Sequence, residues 1–324
     1  MSILFSRNMI GLRLILFILI MIILSILPKF ASGYIVAFFA ILFMYAATAQ
    51  AWNIFTGFSG YWSFGHHMFF GIGAYTVAIL VVKFNANIYL ATLAAGFSAM
   101  LFAIPIGAVM LRLKGAYFTI CSLALPEILK VIAINEEWLT GGGNGILLPP
   151  LIMYESYYYM MIVMLIITTI IAYIIKNSTL GYALFAIRDD ELAAESCGVF
   201  STKYKVMILA LTAFITGIIG GCWAWYVVFI DPYCSFDSLI QLIATVSTIF
   251  GGLGKIYGPI IGAVVFTTLL EFLWISFPYV YLVVLGISIV LIMRFLPDGI
   301  LGKIEKSEQL LSIIEKYRLV WLLI

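Results

Sequence analysis

The chain has 324 residues, of which 65% are hydrophobic and 10% charged, with a net charge of +2 and a mean hydropathy of +1.17. Soluble domains carry about 25% charged residues, so this composition cannot cover the surface of a soluble fold. The nearly balanced charge also provides no basic surface that would bind nucleic acid. These values exclude a cytosolic enzyme, a nucleic-acid binder and a disordered protein, and they predict a multi-spanning protein of the lipid bilayer.

Apolar stretches of the length that crosses the hydrocarbon core, about 20 residues, recur along the chain. The expected fold class is an all-α polytopic membrane protein with about ten transmembrane or re-entrant helices. These are predicted at residues 10–27, 34–56, 66–82, 88–111, 115–134, 157–175, 206–230, 238–253, 258–277 and 279–296. The eighth is short, and glycine-rich segments open the third and the ninth.

The first apolar run is expected to be a retained helix rather than a cleaved signal, because no small-x-small cleavage site closes it. We predict one transmembrane domain over residues 1–302 and a cytoplasmic tail over residues 303–324. The tail is a short amphipathic stretch suited to the inner membrane surface.

The basic residues orient the predicted spans. With the N-terminus inside, 14 of the 17 lysines and arginines lie in inner segments, Lys29 and Lys83 lie outside, and Lys130 lies within a span. Inner loops carry the excess of basic residues in membrane proteins. The distribution therefore predicts that both termini are cytoplasmic.

The predicted inner loop at 176–205 holds the densest charge in the chain. Gly181 is expected to end the preceding helix, and the acids at 189–191 to begin a new short helix that Gly198 terminates. A short surface helix with small residues on one side is suited to docking a partner protein. An ordinary solvated loop is the alternative.

No energy-coupling or catalytic motif is present. The sequence GGLGK at 251–255 lacks the leading glycine of a phosphate loop, and Ile256 stands where Ser or Thr would bind Mg²⁺. The four cysteines show no CxxC spacing, so neither a zinc site nor a disulfide framework is indicated. We expect no catalytic residues, no metal site and no ATP hydrolysis by this chain.

Polar groups and glycines within the spans are candidates for a translocation path. Glu127 and Lys130 lie three residues apart beside Pro126, so they share a helix face and can pair. Proline also frees a backbone carbonyl, and a broken helix is tolerated only against protein or a water-filled cavity. The candidate path residues are Asn53, Ser63, Gly65, His66, Gly71, Gly73, Glu127, Lys130, Gly251 and Gly252.

Each of these candidates also has a purely structural interpretation. His66 and His67 are adjacent and point to different sides of a helix, so they cannot bind one metal. A buried histidine hydrogen-bonded to backbone is the first expectation, and a proton relay is the second. For most of the glycines, close helix packing is favoured over unwound turns that expose carbonyls to a ligand.

Six segments, in order along the chain, resemble one family: FTGFSGYWSFGHHMFFGIGAY (55–75), LRLKGAYFTICSLALPEILKVI (111–132), LTGGGNGI (139–146), GYALFAIRDDELAAESCGV (181–199), GGLGKIYGPIIGA (251–263) and FLPDGILG (295–302). They are similar to the LivM-type permease subunits of ATP-binding-cassette (ABC) importers for branched-chain amino acids. That family includes LivH and the urea permeases.

The resemblance implies a permease that translocates leucine, isoleucine and valine across the bacterial inner membrane. It implies a second, LivH-like permease subunit, two LivG/LivF-like ATP-binding subunits and an extracytoplasmic solute-binding protein. ATP and Mg²⁺ would be held by the ATP-binding subunits, and this chain would bind no cofactor.

In such importers a cytoplasmic helix with an EAA-x3-G pattern docks on the ATPase. Ala193, Ala194 and Gly198 match the pattern, whereas Leu192 occupies the glutamate position and Glu191 lies one residue earlier. The candidate ATPase-coupling residues are Gly181, Arg188, Asp190, Glu191, Ala193, Ala194 and Gly198.

Two departures from the family pattern bear on the cargo. Tyr61 replaces a glutamine of the first motif, and Asn144 stands where an acid is common. Both substitutions change polar residues that are expected near the pathway. A permease for urea or short amides is the alternative. A standalone ion-coupled carrier is disfavoured, because few intramembrane carboxylates are present to relay ions.

Overall fold

The computed structural model describes residues 24–149, 154–277, 279–280, 283–284, 286–287, 289–290, 294 and 299–303. The helices are α1 (Gly33–Trp52), which continues into a π-helical turn (Asn53–Gly57), α2 (His67–Phe84), α3 (Ile88–Met110), α4 (Ala116–Asn135), α5 (Glu137–Thr140), α6 (Tyr154–Lys176), α7 (Thr179–Asp189), α8 (Glu191–Ser196), α9 (Ser201–Val227), α10 (Pro232–Ser235), α11 (Ser238–Gly251) and α12 (Gly258–Ser276). A 3₁₀ turn covers Gly142–Asn144, and two short strands, β1 (Ile146–Leu147) and β2 (Phe229–Ile230), pair antiparallel.

Eight helical segments in the described part of the chain are long and apolar enough to cross a membrane. They confirm the second to ninth predicted spans; the span predicted at 88–111, for example, is Ile88–Met110. The third and ninth are 18 and 19 residues long, which suffices for a full crossing. The first and tenth predicted spans and the tail beyond residue 303 lie mostly outside the described residues.

Helix α9 lies at the centre of the bundle and packs against α2 and α3. Small residues allow the close approach: a Cβ at Gly73 of α2 would lie 2.0 Å from the Gly217 carbonyl oxygen, and one at Gly220 would lie 2.1 Å from that of Phe70. Without a hydrophobic driving force between helices in lipid, this backbone contact supplies the packing energy.

The connecting loops alternate between two faces of the bundle. On one face, Arg188 donates to the Gly57 carbonyl and Lys205 to that of Leu111. On the other face, β1 pairs with β2, which joins the loop before α6 to the loop after α9. The first is the predicted inner face, and the alternation is the one that the predicted span order requires.

Two local expectations for the helices were wrong. Helix α4 is continuous through Pro126 rather than broken; the carbonyl that Pro126 cannot bond is that of Ser122, and Gly65 packs against its oxygen, 2.2 Å from an added Cβ. Gly181 lies inside α7 instead of ending α6. The break falls at Asn177, because the Ser178 side chain caps α7 by accepting a hydrogen bond from the Gly181 N–H.

Candidate functional site

The predicted docking helix is α8, and its ends are fixed by local capping. The Asp190 carboxylate accepts hydrogen bonds from the backbone N–H groups of Leu192 and Ala193, at 2.9 and 3.0 Å. At the other end Gly198 has φ +87°, a left-handed conformation that glycine adopts at little cost. The helix is therefore shorter than the predicted segment, and Arg188 and Asp189 belong to α7.

A buried ion pair ties α8 to the membrane-spanning bundle. Lys205 Nζ lies 2.7 Å from Glu191 Oε1, with side-chain exposures of 1% and 14%. Lys205 also donates to the Tyr61 hydroxyl at 2.9 Å, and Tyr61 donates to Glu191 Oε2 at 2.5 Å. Burial raises the pKa of Glu191, but hydrogen bonds from Lys205 and Tyr61 outweigh it and hold that pKa below its ordinary value.

A second contact joins α7 to the end of the first described span, Gly33–Gly57. Arg188 Nη1 donates to the Gly57 carbonyl at 2.7 Å. Asn53 ties the same region to the loop before α12, because its amide donates to the Lys255 carbonyl at 2.9 Å and accepts from the Gly254 N–H at 2.8 Å. Arg188 also approaches that second loop, since its Nη1 would lie 2.9 Å from a Cβ added at Gly254, so α7 contacts both glycine-rich loops on this face.

The exposed surface of α8 is partly apolar, and a cavity lies beside it. Leu192 and Phe200 are 66% and 74% exposed, and a cavity of about 630 Å³ beside them is lined by Glu195, Gly198 and Phe200 among others. Of the alanine pair, Ala193 is exposed and Ala194 is buried. Exposed apolar side chains beside small residues are typical of a protein-binding surface.

A second cavity, of about 390 Å³, lies among the membrane-spanning helices. It is bounded by the loop before α2, by α4 and by α11. Its wall is mostly apolar, with Trp62, Leu123 and Leu242 among the lining side chains, and its ionisable lining groups are His67 and Glu127. We call it the membrane cavity.

Gln241 of α11 holds one wall of the membrane cavity in place. Its amide group donates to the Ser63 carbonyl at 3.3 Å and to Thr245 Oγ1 at 2.9 Å, and it accepts from the His67 backbone N–H at 3.3 Å. The His67 side chain is buried, and neither of its ring nitrogens has a hydrogen-bond partner among the described residues.

Of the ten candidate path residues, Glu127 alone lines the membrane cavity. Ser63 and His66 lie inside the bundle, where His66 Nδ1 is 2.9 Å from Ser63 Oγ and Nε2 is 3.2 Å from Thr212 Oγ1. These partners are side chains, whereas backbone partners were expected for a structural histidine. Asn53 is engaged by the loop before α12, as described above.

The candidate glycines lie at close contacts. A Cβ at Gly71 would meet the Phe236 ring at 2.5 Å, and one at Gly251 would lie 1.7 Å from the Gly258 carbonyl oxygen. Gly65 and Gly73 contact backbone in the same way. Gly252 has φ +128°. Four of these five glycines lie at close packing contacts, the interpretation favoured from the sequence, whereas Gly252 forms a backbone turn.

The predicted pairing of Glu127 with Lys130 is confirmed, since Lys130 Nζ lies 2.5 Å from Glu127 Oε2. We expect Glu127→Gln alone to lower the yield of membrane-inserted protein, because Lys130, which lies within the last two turns of α4, would then carry an unpaired charge in the span. Adding Lys130→Met should recover part of the yield, measured by fluorescence size-exclusion chromatography. A double variant no better than the single one would show that the pair contributes nothing.

Four residues of these sites were not predicted from the sequence: Tyr61, Lys205, His67 and Gln241. Tyr61 was expected near the cargo pathway, but it contacts Glu191 of α8. Its partner Lys205 is 144 residues away, so no local pattern links the two. Gln241 could have been found from the sequence, because a single amide side chain within an apolar helix indicates a functional position.

Comparisons with known proteins place these features in context. A family model described as "Branched-chain amino acid transport system / permease component" matches residues 34–293. The high-affinity branched-chain amino acid transport system permease proteins LivM of Salmonella typhimurium and Escherichia coli K12 are each 25% identical over 280 residues, or 77% of this chain. The matched region spans 65% of the length of each of these relatives.

A shorter match is to the ribose import permease protein RbsC of Haemophilus influenzae. It is 25% identical over 134 residues, which cover 40% of this chain and 42% of RbsC. No solved structure matches this chain significantly.

Proposed function

Because the chain belongs to the family of branched-chain amino acid transport system permease components, we propose that it is the transmembrane permease subunit of an ABC importer in the bacterial inner membrane. Its cargo is a branched-chain amino acid: leucine, isoleucine or valine. Two ATP-binding subunits hydrolyse ATP, a second permease subunit completes the pathway, and an extracytoplasmic binding protein delivers the cargo. This chain itself performs no chemical reaction.

The observation that carries this proposal is the anchored, exposed helix α8. Asp190 caps it, and the buried pair of Glu191 with Lys205 fixes it to α9. Leu192 and Ala193 are left exposed for a partner. A surface helix on a rigid anchor passes a partner's movement to the spans, as domain closure requires.

In this mechanism ATP binding closes the ATPase pair, and α8 moves with the surface on which it is docked. The movement reaches the bundle at two points, through Glu191 to Tyr61 and Lys205, and through Arg188 to the Gly57 carbonyl. Both points lead to the loop between the first two described spans, which carries Trp62 of the membrane cavity. Alternating access then follows as a population shift between two bundle arrangements.

The experiment is ATP-driven uptake into proteoliposomes that contain this chain, its co-purified partners and the cognate binding protein. Labelled leucine, labelled urea and labelled ribose are offered in parallel. We expect leucine uptake that requires both ATP and the binding protein. Uptake of urea or ribose without leucine would contradict the proposed cargo, and failure of any ATPase subunit to co-purify would contradict the importer itself.

A further inference from the structure

The membrane cavity combines an apolar wall with one buried polar side chain that the fold leaves unpaired. Ligand sites typically measure about 300–1,000 Å³ and are mostly apolar, with a few polar groups that orient the ligand. The cavity, at about 390 Å³, fits this description. Its wall includes Leu123 of α4, Leu242, Val246 and Ile249 of α11, and Ile289.

His67 is the feature that points to a ligand. The residue is 4% exposed and lines the cavity; the Gln241 side chain and the Phe64 backbone lie near its ring, yet neither ring nitrogen meets the geometry of a hydrogen bond with a described residue. A buried polar group without a partner destabilises the folded protein. The cost is recovered when a solute in the cavity supplies the partner, because a neutral imidazole has one donor and one acceptor nitrogen.

Two other polar groups on this wall are already engaged. Gln241 uses its amide group to hold Ser63, Thr245 and the His67 backbone, and Glu127 is paired with Lys130. Of the buried side chains on this wall, His67 is the one whose polar atoms make no hydrogen bond with the described residues, and the Glu127 carboxylate, paired with Lys130, lies at the same wall.

We infer that the membrane cavity is the place where the cargo rests on its way through this chain, and that its cargo class is an aliphatic solute with one hydrogen-bonding end that meets His67. This inference rests on the proposed function and deepens it. A branched-chain amino acid has both parts, since its alkyl group matches the wall and its amino and carboxylate groups match the polar end. Urea and ribose have no alkyl group to bury, so the apolar wall disfavours them.

Photo-crosslinking during transport tests the location. The complete complex with binding protein and ATP is supplied with a diazirine analogue of leucine, irradiated and digested, and the labelled peptides are identified by mass spectrometry. We expect labels on α4 or α11 that excess leucine removes and urea does not. Leucine uptake with labels confined to other segments, or labels that leucine does not compete, would overturn the cavity as the cargo site.

Two pairs of variants test the same point by transport. Leu123→Trp fills the cavity and should lower the leucine transported per ATP hydrolysed at least tenfold, whereas Leu93→Trp adds the same ring at an exposed site on α3 and should not. His67→Leu should lower the ratio about 2- to 10-fold, the value of one hydrogen bond, and His67→Gln should lower it less. Tyr157→Phe removes an unpaired, buried hydroxyl outside the cavity and serves as the control.

The outcomes separate this inference from the proposed function. If wild-type complex imports leucine but Leu123→Trp and His67→Leu behave like their controls, the cavity is occupied by lipid or by the second permease subunit, and the inference alone fails. If wild-type complex imports urea or ribose and no leucine, the proposed cargo and the aliphatic class fail together.

Discussion

Lys205→Met is expected to lower the free energy of unfolding by roughly 1–3 kcal/mol, because it removes the cation that compensates the partly buried Glu191 carboxylate. Glu191 would keep its hydrogen bond from the Tyr61 hydroxyl but lose its ion pair with the Lys205 ammonium group, 2.7 Å away. The same variant should uncouple ATP hydrolysis from uptake, since α8 would lose its anchor on α9. Unfolding in mixed detergent micelles measures the first effect, and the ratio of uptake to ATPase rate measures the second.

The matched control is Lys29→Met, which removes the same charge from an exposed position away from α8 and its cavity and should leave both readouts near wild type. Combining Lys205→Met with Glu191→Gln should cost clearly less than the sum of the single losses. Losses that add to within about 0.3–0.5 kcal/mol would mean that the two residues are not energetically coupled.

Acidification offers an independent check on this pair. The pKa of Glu191 is held below its ordinary value, so its contribution to stability is present above the ordinary carboxyl pKa of about 4.3 and is lost as the pH falls through the lowered value. The stability difference between wild type and Glu191→Gln should therefore be full at neutral pH and should shrink on acidification below about pH 4. A difference that persists unchanged at low pH would contradict the ion pair.

Ala193→Asp should uncouple the importer without unfolding the chain. Ala193 is exposed on α8 beside Leu192, and an added carboxylate in the centre of a protein interface costs about 2 kcal/mol, or roughly 30-fold in affinity. Replacing Gly198 by valine should act in the same direction, because its φ of +87° strains any side chain. The readouts are co-purification of the ATPase subunits and ATP-driven uptake.

Asn177→Asp is the control for this surface. It introduces the same acid into the same loop at an exposed position that lies before α7 rather than on α8, so co-purification and uptake should stay at wild-type levels. If Ala193→Asp also leaves both unchanged while the protein reaches the membrane, α8 is a solvated loop and not a docking helix.

Hydrophobic length alone located the spans, because a helix in lipid must satisfy its own backbone and must be about 20 residues long. The prediction at 258–277 thus differs by one residue at its end from Gly258–Ser276. The residues at which the helices of the predicted inner loop begin and end were harder to predict. Gly181 was expected to break a helix, but the Ser178 cap acts three residues earlier.

The sites depend on contacts between segments that are distant in the chain, and these could not be predicted locally. Lys205 looked like one of many inner-face charges, and its burial follows from Glu191 and Tyr61, which lie on two other segments. His66 and His67 are equivalent by sequence. The contact with Thr212 engages the first, while the second lines a cavity whose opposite wall is formed by α11.

The π-helical turn at Asn53–Gly57 has a consequence for how this chain can tolerate length changes. A π turn holds one more residue than an α turn, because its hydrogen bonds span five residues instead of four. Deleting one residue there would therefore restore a regular α turn and leave the following segment in place, whereas a deletion in the regular helix before it would rotate everything beyond by about 100°. That rotation would turn Gly57 away from Arg188, and Tyr61 from Lys205. In a scan of single-residue deletions over residues 40–60, coupled transport should therefore survive best within this turn.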